Sequence, residues 1–165
     1  MSRAFQSLQP DEVLSLAINV EIRNAQRYSA FSTLFAGYDD AVSALFAEME
    51  REEIDHKEIL EKLYSDRFGG PVRSVSESDV DEVVEAVDVD DAEHFIFDDM
   101  TRRAVLEAAL RAENGAQKFY QSLLPDTRDA VMRQLYSQLA GFEEDHVAAI
   151  HRALKRLDAT IGVQV

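Results

Sequence analysis

The chain has 165 residues, of which 46% are hydrophobic and 30% charged, and this composition is typical of one globular domain with its own core. The formal net charge of −15 argues against nucleic acid, whose phosphates require a basic surface, and against docking on anionic membranes. The sequence has no cysteine, which excludes disulfides, thiolate catalysis and cysteine-ligated iron centres in this chain.

Residues that form turns are scarce, with only six glycines and three prolines, and this favours an all-α fold of long helices. Pro10 is typical of a first helical turn, Gly37 of a helix end, and Pro125 of a turn into a further helix. The N-terminal region has neither a signal peptide nor a membrane-spanning pattern, so we expect a soluble cytoplasmic protein. The pattern predicts four long helices in one domain spanning residues 1–165, at about residues 10–36, 39–67, 101–124 and 126–158.

A long connector, residues 67–100, separates the second and third of these helices. It contains eleven acidic residues and two arginines, which account for −9 of the net charge of −15. Val80, Val83, Val84 and Val87 recur at helical spacing and predict a short amphipathic helix within it. A connector of this length fits a crossover that lets the second and third helices run parallel. Its acids form either a solvated surface or a route that draws metal cations inward.

Each long helix has an apolar stripe at spacings of three and four residues, and a glutamate interrupts every stripe near its middle. A charged carboxylate in an apolar core is costly, and four of them repel one another. No lysine or arginine lies on the stripes, whereas two divalent cations balance four carboxylates. The interrupting residues are Glu21, Glu53, Glu113 and Glu143, and a histidine follows one turn after two of them, at His56 and His146.

The spacing of these residues predicts a site for two metal ions. A glutamate and a histidine three residues apart share one helix face, so the second and fourth helices can each hold one ion. Glu21 and Glu113 add single carboxylates, which either bridge or cap the ions. Mixed carboxylate and imidazole ligands suit iron, with manganese as the alternative, better than zinc. The remaining histidines, His94 and His151, are expected at the surface.

The two halves of the chain repeat this pattern, so we expect two half-sites around a pseudo-twofold axis. They are Glu21/Glu53/His56 and Glu113/Glu143/His146. In each half a tyrosine, Tyr28 or Tyr120, follows the first glutamate by seven residues. These tyrosines lie about 10.5 Å along the helix from that glutamate. That is too far for direct ligation from the same helix, although a facing helix could bring either tyrosine close to the metals. They are either core aromatics or donors of hydrogen bonds that orient a ligand carboxylate.

With these motifs the sequence resembles the rubrerythrin branch of the ferritin-like superfamily, over all four helices but not the connector. The resemblance rests on Glu21-x6-Tyr28, Glu53-x-x-His56, Glu113-x5-Phe119-Tyr120 and Glu143-x-x-His146. Ferritin usually lacks the second histidine, and bacterioferritin commonly has a haem-ligating methionine where this chain has Ile54. Full-length rubrerythrin usually adds a rubredoxin domain with four cysteines. It also usually has a further glutamate on the third helix, where this chain has only Ala116 and Leu110 beside Glu113.

The resemblance implies a di-iron oxidoreductase that reduces hydrogen peroxide or dioxygen and is restored by a separate electron donor protein. It also implies a homodimer or a larger homo-oligomer. Two other functions remain open at this point. One is oxidation of Fe(II) for iron storage or delivery, in the manner of bacterioferritin, and the other is a structural module stabilised by a metal that has no redox role.

Overall fold

The computed structural model describes residues 8–83 and 99–161, and within these residues all the regular structure is helical. The prediction of an all-α fold is therefore confirmed. None of the helices in the described part of the chain is both long enough and apolar enough to cross a membrane. The helices are α1 Pro10–Phe35, α2 Asp40–Phe68, α3 Glu77–Val83, α4 Asp99–Leu123 and α5 Ala130–Ile161.

Local capping determines where the helices begin. Asp39 accepts a hydrogen bond from the backbone N–H of Val42 at 3.1 Å and caps α2, as side-chain oxygens do at helix N-termini. At α5 the cap is Asp129, whose Oδ1 accepts from the N–H groups of Val131 and Met132 at 2.9 and 3.0 Å. The helix expected from about residue 126 therefore begins four residues later, because Asp129 and not Asp126 satisfies its first amides.

The short helix α3 lies in the connector and packs on the bundle through Val80 and Val83, which are both buried. Its position explains Gly115 on α4. A Cβ atom at Gly115 would meet the backbone carbonyl oxygen of Val83 at a distance that real Cβ atoms do not reach. The absence of a side chain at Gly115 therefore lets the end of α3 approach α4. Two more of the valines predicted for this helix, Val84 and Val87, lie outside the described residues.

The four long helices form two antiparallel hairpins, α1–α2 and α4–α5, each closed by a short turn. The hairpins pack with α1 antiparallel to α4, because Tyr28 reaches Glu113 while the later Tyr120 reaches the earlier Glu21. Since α2 and α4 both run opposite to α1, they run parallel to each other. This is the arrangement predicted from the length of the connector.

The core consists of two apolar clusters, one toward each end of the bundle. One contains Leu14, Leu60 and Leu139. The other contains Phe31 and Phe46, together with residues from the remaining helices. The buried glutamates and histidines are members of neither cluster, and the helices hold them between the two. The bundle therefore encloses a polar layer within an apolar core.

We predict that Gly115→Ala destabilises the protein by about 1–3 kcal/mol, because the added methyl group pushes the end of α3 away from α4. The matched control is Gly141→Ala on α5, where an added Cβ meets nothing within 4 Å. That change is expected to be neutral or stabilising by up to about 1 kcal/mol, since alanine is the better helix former. Urea unfolding of the three proteins measures both effects. Equal stability of both variants would contradict the packing assigned to Gly115.

Candidate metal centre

The structure brings all six predicted residues together at the middle of the bundle. Each comes from a stripe position that faces the axis, so helical periodicity alone directs the side chains toward one another. All four carboxylates are 0% exposed, and the two imidazoles are only 4–5% exposed. They are Glu21 on α1, Glu53 and His56 on α2, Glu113 on α4, and Glu143 and His146 on α5.

The six residues form two overlapping groups, in each of which one possible ligand atom per residue lies within 4.8 Å of the others. Glu53 and Glu143 belong to both groups, whereas Glu21 and Glu113 each belong to one. This sharing differs from the two separate half-sites expected from the sequence. The geometry places the glutamates of the Glu-x-x-His motifs between the two groups and the single glutamates at the outside. The groups are Glu21/Glu53/His56/Glu143 and Glu53/Glu113/Glu143/His146.

Both histidines direct Nδ1 toward the carboxylates. Nδ1 of His56 lies 3.1 Å from Oε2 of Glu53 and 3.5 Å from Oε2 of Glu21. Nδ1 of His146 lies 3.1 Å from Oε2 of Glu113. The ring centroids of the two histidines are 6.0 Å apart. Each imidazole therefore presents the same nitrogen to the interior of the layer, where a metal ion would take it as a ligand.

Two buried tyrosines cross between the hairpins. Tyr28 on α1 donates a hydrogen bond to Oε1 of Glu113 on α4, and Tyr120 on α4 donates to Oε1 of Glu21 on α1. Each tyrosine thus serves the glutamate of the facing helix and not the one seven residues before it. These bonds engage one oxygen of each outer carboxylate and leave Oε2 to face the centre. Of the two predicted roles, the structure supports orientation of a carboxylate.

Several buried carboxylate oxygens have no hydrogen-bond partner among the described residues. They are Oε2 of Glu21, Oε1 of Glu53 and both oxygens of Glu143. Each unsatisfied buried acceptor costs about 1–3 kcal/mol. A pair of divalent cations would supply what these atoms lack, and four carboxylates match their charge. A ligand set of carboxylate oxygens and two imidazole nitrogens fits iron or manganese.

Burial and mutual repulsion shift the acidities of the carboxylates in the metal-free chain. Burial raises the pKa of Glu21 from 4.5 to about 8, and the charge of Glu53 adds to the rise. Burial together with the charges of Glu53 and Glu113 raises the pKa of Glu143 well above its usual value. Burial also opposes ionisation of Glu53, but its contacts with His56 and Glu21 outweigh burial and lower the pKa. Without metal, protons therefore remain on part of the cluster.

The two histidines shift in the direction expected beside carboxylates. Burial alone would lower the pKa of His56, but the carboxylates of Glu21 and Glu53 beside its Nδ1 raise it to about 9. Burial likewise opposes the charged form of His146, and the hydrogen bond and charge of Glu113 raise its pKa to about 10. Metal binding must displace these protons, because only the neutral imidazole is a ligand.

Two residues beside the centre were missed in the sequence. Glu52 accepts a hydrogen bond from Nε2 of His146 at 2.7 Å, and Phe142 stacks on the ring of His56. Both precede a stripe glutamate by one position, and the position four before each histidine lies on that histidine's helix face. That spacing indicates that both residues lie near the centre, but it does not indicate their contacts, which cross to the opposite hairpin. Of the histidines expected at the surface, His151 is exposed, and His94 lies outside the described residues.

We predict that the metal-free protein loses stability as pH rises. The folded chain keeps protons on Glu21 between pH 4.5 and about 8, and on the two histidines between 6.5 and about 9–10, where the unfolded chain has released them. The free energy of unfolding therefore falls through this range, most steeply between 6.5 and 8. Urea unfolding at several pH values, with and without a chelator, measures the slope. In a metal-loaded sample the free energy of unfolding should fall less over the same pH range. A free energy of unfolding that rises with pH in the chelated sample would contradict the prediction.

We also predict that Glu143→Gln stabilises the metal-free chain by about 1–3 kcal/mol at neutral pH, because the buried Glu143 must either stay charged beside other carboxylates or take up a proton on folding, and a neutral amide avoids both costs. The same change should weaken metal binding, since it removes a shared carboxylate. The control is Glu144→Gln, at the exposed next position, which should change neither property. Thermal unfolding and metal titration test the pair of effects. Loss of stability in chelated Glu143→Gln would contradict the predicted repulsion.

Comparison with known proteins gives a family and a fold for this chain. The sequence profile described as Rubrerythrin matches residues 12–94, which is just over half of the chain. A search of curated proteins found no match. Among solved structures, a hypothetical protein from Pyrococcus furiosus superposes with a TM-score of 0.75 at 22% identity, covering 93% of this chain and 92% of that one. An uncharacterised conserved protein from Magnetospirillum magnetotacticum gives 0.74 at 18% identity, covering 90% and 95%. Both solved structures share the fold of this chain. The profile match over more than half of the sequence shows that the chain belongs to the rubrerythrin family.

Proposed function

We propose that this chain is a di-iron oxidoreductase of rubrerythrin type that reduces hydrogen peroxide or dioxygen. The observation that carries the proposal is the buried cluster of four carboxylates and two imidazoles, with oxygens that lack partners among the described residues. The ligands would be Glu21, Glu53, His56, Glu113, Glu143 and His146. Iron is the metal we expect, and manganese has the same ligand preferences.

The bound metal pair would supply two electrons, which together with two protons convert hydrogen peroxide to two molecules of water. The protein's own part is to hold the ions close and to keep the ligands in place. Glu53 and Glu143 would hold the metal pair from the middle of the cluster, since each belongs to both groups. Tyr28 and Tyr120 fix the outer carboxylates, so that one oxygen of each is held and the other is left to bind metal.

The two apolar clusters close the centre from both ends of the bundle. The side between α2 and α5 is more open, because the side chains beside the two histidines reach the surface there. Phe142 is 42% exposed, and the side chain of Glu52 is 44% exposed. A molecule as small as peroxide or dioxygen would approach by this side. Restricted access of this kind keeps bulk water away from the centre and favours small oxidants.

Each turnover consumes the two electrons of the metal pair, so they must be replaced from outside this chain. The proposal therefore includes a separate electron donor protein. The homodimer or larger assembly and the cytoplasmic location expected from the sequence also stay predictions. The mass and the iron content of the intact assembly test this expectation. A cage of many subunits that retains far more than two irons per chain would favour iron storage.

The function is tested by rapid mixing of the chain, loaded without oxygen with two Fe(II) ions, against peroxide or dioxygen. We predict that the loaded chain oxidises at least about tenfold faster than Fe(II) in buffer, which corresponds to about 1.4 kcal/mol of barrier. Glu143→Gln should abolish the gain because it removes a shared carboxylate, and the exposed-site control Glu144→Gln should retain it. Oxidation by both oxidants at the buffer rate would exclude the oxidoreductase.

A further inference from the structure

The pseudo-twofold repeat of the centre is broken at the position four residues before each histidine. The residue before the shared glutamate is Glu52 on α2 and Phe142 on α5. Each of these side chains contacts the histidine of the opposite hairpin. Oε2 of Glu52 lies 2.7 Å from Nε2 of His146. The ring of Phe142 stacks on the ring of His56, with centroids 4.8 Å apart and planes inclined by 13°.

The two contacts have different chemical consequences. Both histidines turn Nδ1 toward the carboxylates, so Nε2 is the outer nitrogen in each. A carboxylate on the outer N–H of His146 fixes the tautomer with Nδ1 free, holds the ring plane and makes the imidazole a stronger donor. An aromatic ring can hold His56 only by packing. Both halves supply one crossing tyrosine to the centre.

We propose that Glu52 is a positioning residue that makes the two metal positions unequal. The position that includes His146 binds its ion more tightly and fills first. The position that includes His56, under the ring of Phe142, fills second and releases its ion more readily. This inference rests on the proposed di-metal function and deepens it, because it assigns an order of binding to the two groups of ligands.

The competing explanation is a surface ion pair. The side chain of Glu52 is 44% exposed, and exposed ion pairs commonly contribute little. Two observations favour the positioning role. His146 itself is 4% exposed, so its end of the hydrogen bond is shielded from water. The acceptor is also a carboxylate, which gives shorter and stronger hydrogen bonds to an imidazole than a neutral group does.

The test uses Co(II) alone as the probe metal, titrated into the chelated full chain by calorimetry and followed by the visible absorption of the bound ion. We expect two binding steps in the native protein. Glu52→Ala should weaken the tighter step by about 10–100-fold, the effect typical of losing a carboxylate behind a histidine ligand, and leave the weaker step unchanged. Glu58→Ala, which removes one exposed glutamate from the same helix, controls for the loss of charge and should leave both steps unchanged.

The reciprocal variant makes the test independent of any loss of folding. Phe142→Glu places a carboxylate opposite His56, so the weaker step should tighten and the two affinities should converge. Circular dichroism of the metal-free variants confirms that each is folded before titration. Two steps of equal affinity in the native protein, or a Glu52→Ala titration identical to the native one, would overturn the proposal that the two metal positions are unequal. Either result would leave the proposed di-metal function standing. A native chain that binds no Co(II) would overturn the proposed di-metal function together with it.

Discussion

Burial of four carboxylates in the centre of one helical bundle is the constraint on which the rest of this structure depends. Four oxygens of these groups have no hydrogen-bond partner among the described residues. At about 1–3 kcal/mol each, they would cost about 4–12 kcal/mol, a large part of the 5–15 kcal/mol that stabilises an ordinary domain. Retained protons reduce this cost in the metal-free chain, and two divalent cations would remove it. Metal binding at this site would therefore be coupled to folding.

The apolar clusters on both sides of the polar layer keep its side chains in place. One apolar cluster lies on each side, and each supplies one tyrosine to the layer, Tyr28 from one and Tyr120 from the other. Since both tyrosines cross from one hairpin to the other, each outer carboxylate is oriented by the half of the molecule that does not contain it. The packing of the hairpins and the geometry of the centre therefore depend on each other.

The six central residues could be predicted from the sequence because they lie on helical stripes, and helical periodicity alone decides which side chains face the axis. The sharing of Glu53 and Glu143 between two groups could not, because it depends on the offset between helices and on side-chain rotamers. The contacts of Glu52 with His146 and of Phe142 with His56 depend on the packing of α2 against α5. The start of α5 was also misplaced, since two aspartates near the turn are equally good caps in sequence.

The contrast between Glu52 and Phe142 bears on why the two hairpins belong to one polypeptide. A symmetric pair of identical hairpins would form the same six-residue centre, with equivalent residues facing each other across a true twofold axis. In such a homodimer the position before the shared glutamate would be acidic in both copies or aromatic in both. Joining the hairpins through the crossover frees each position to change alone. Covalent linkage is thus what permits one histidine to have a carboxylate neighbour and the other a phenyl ring.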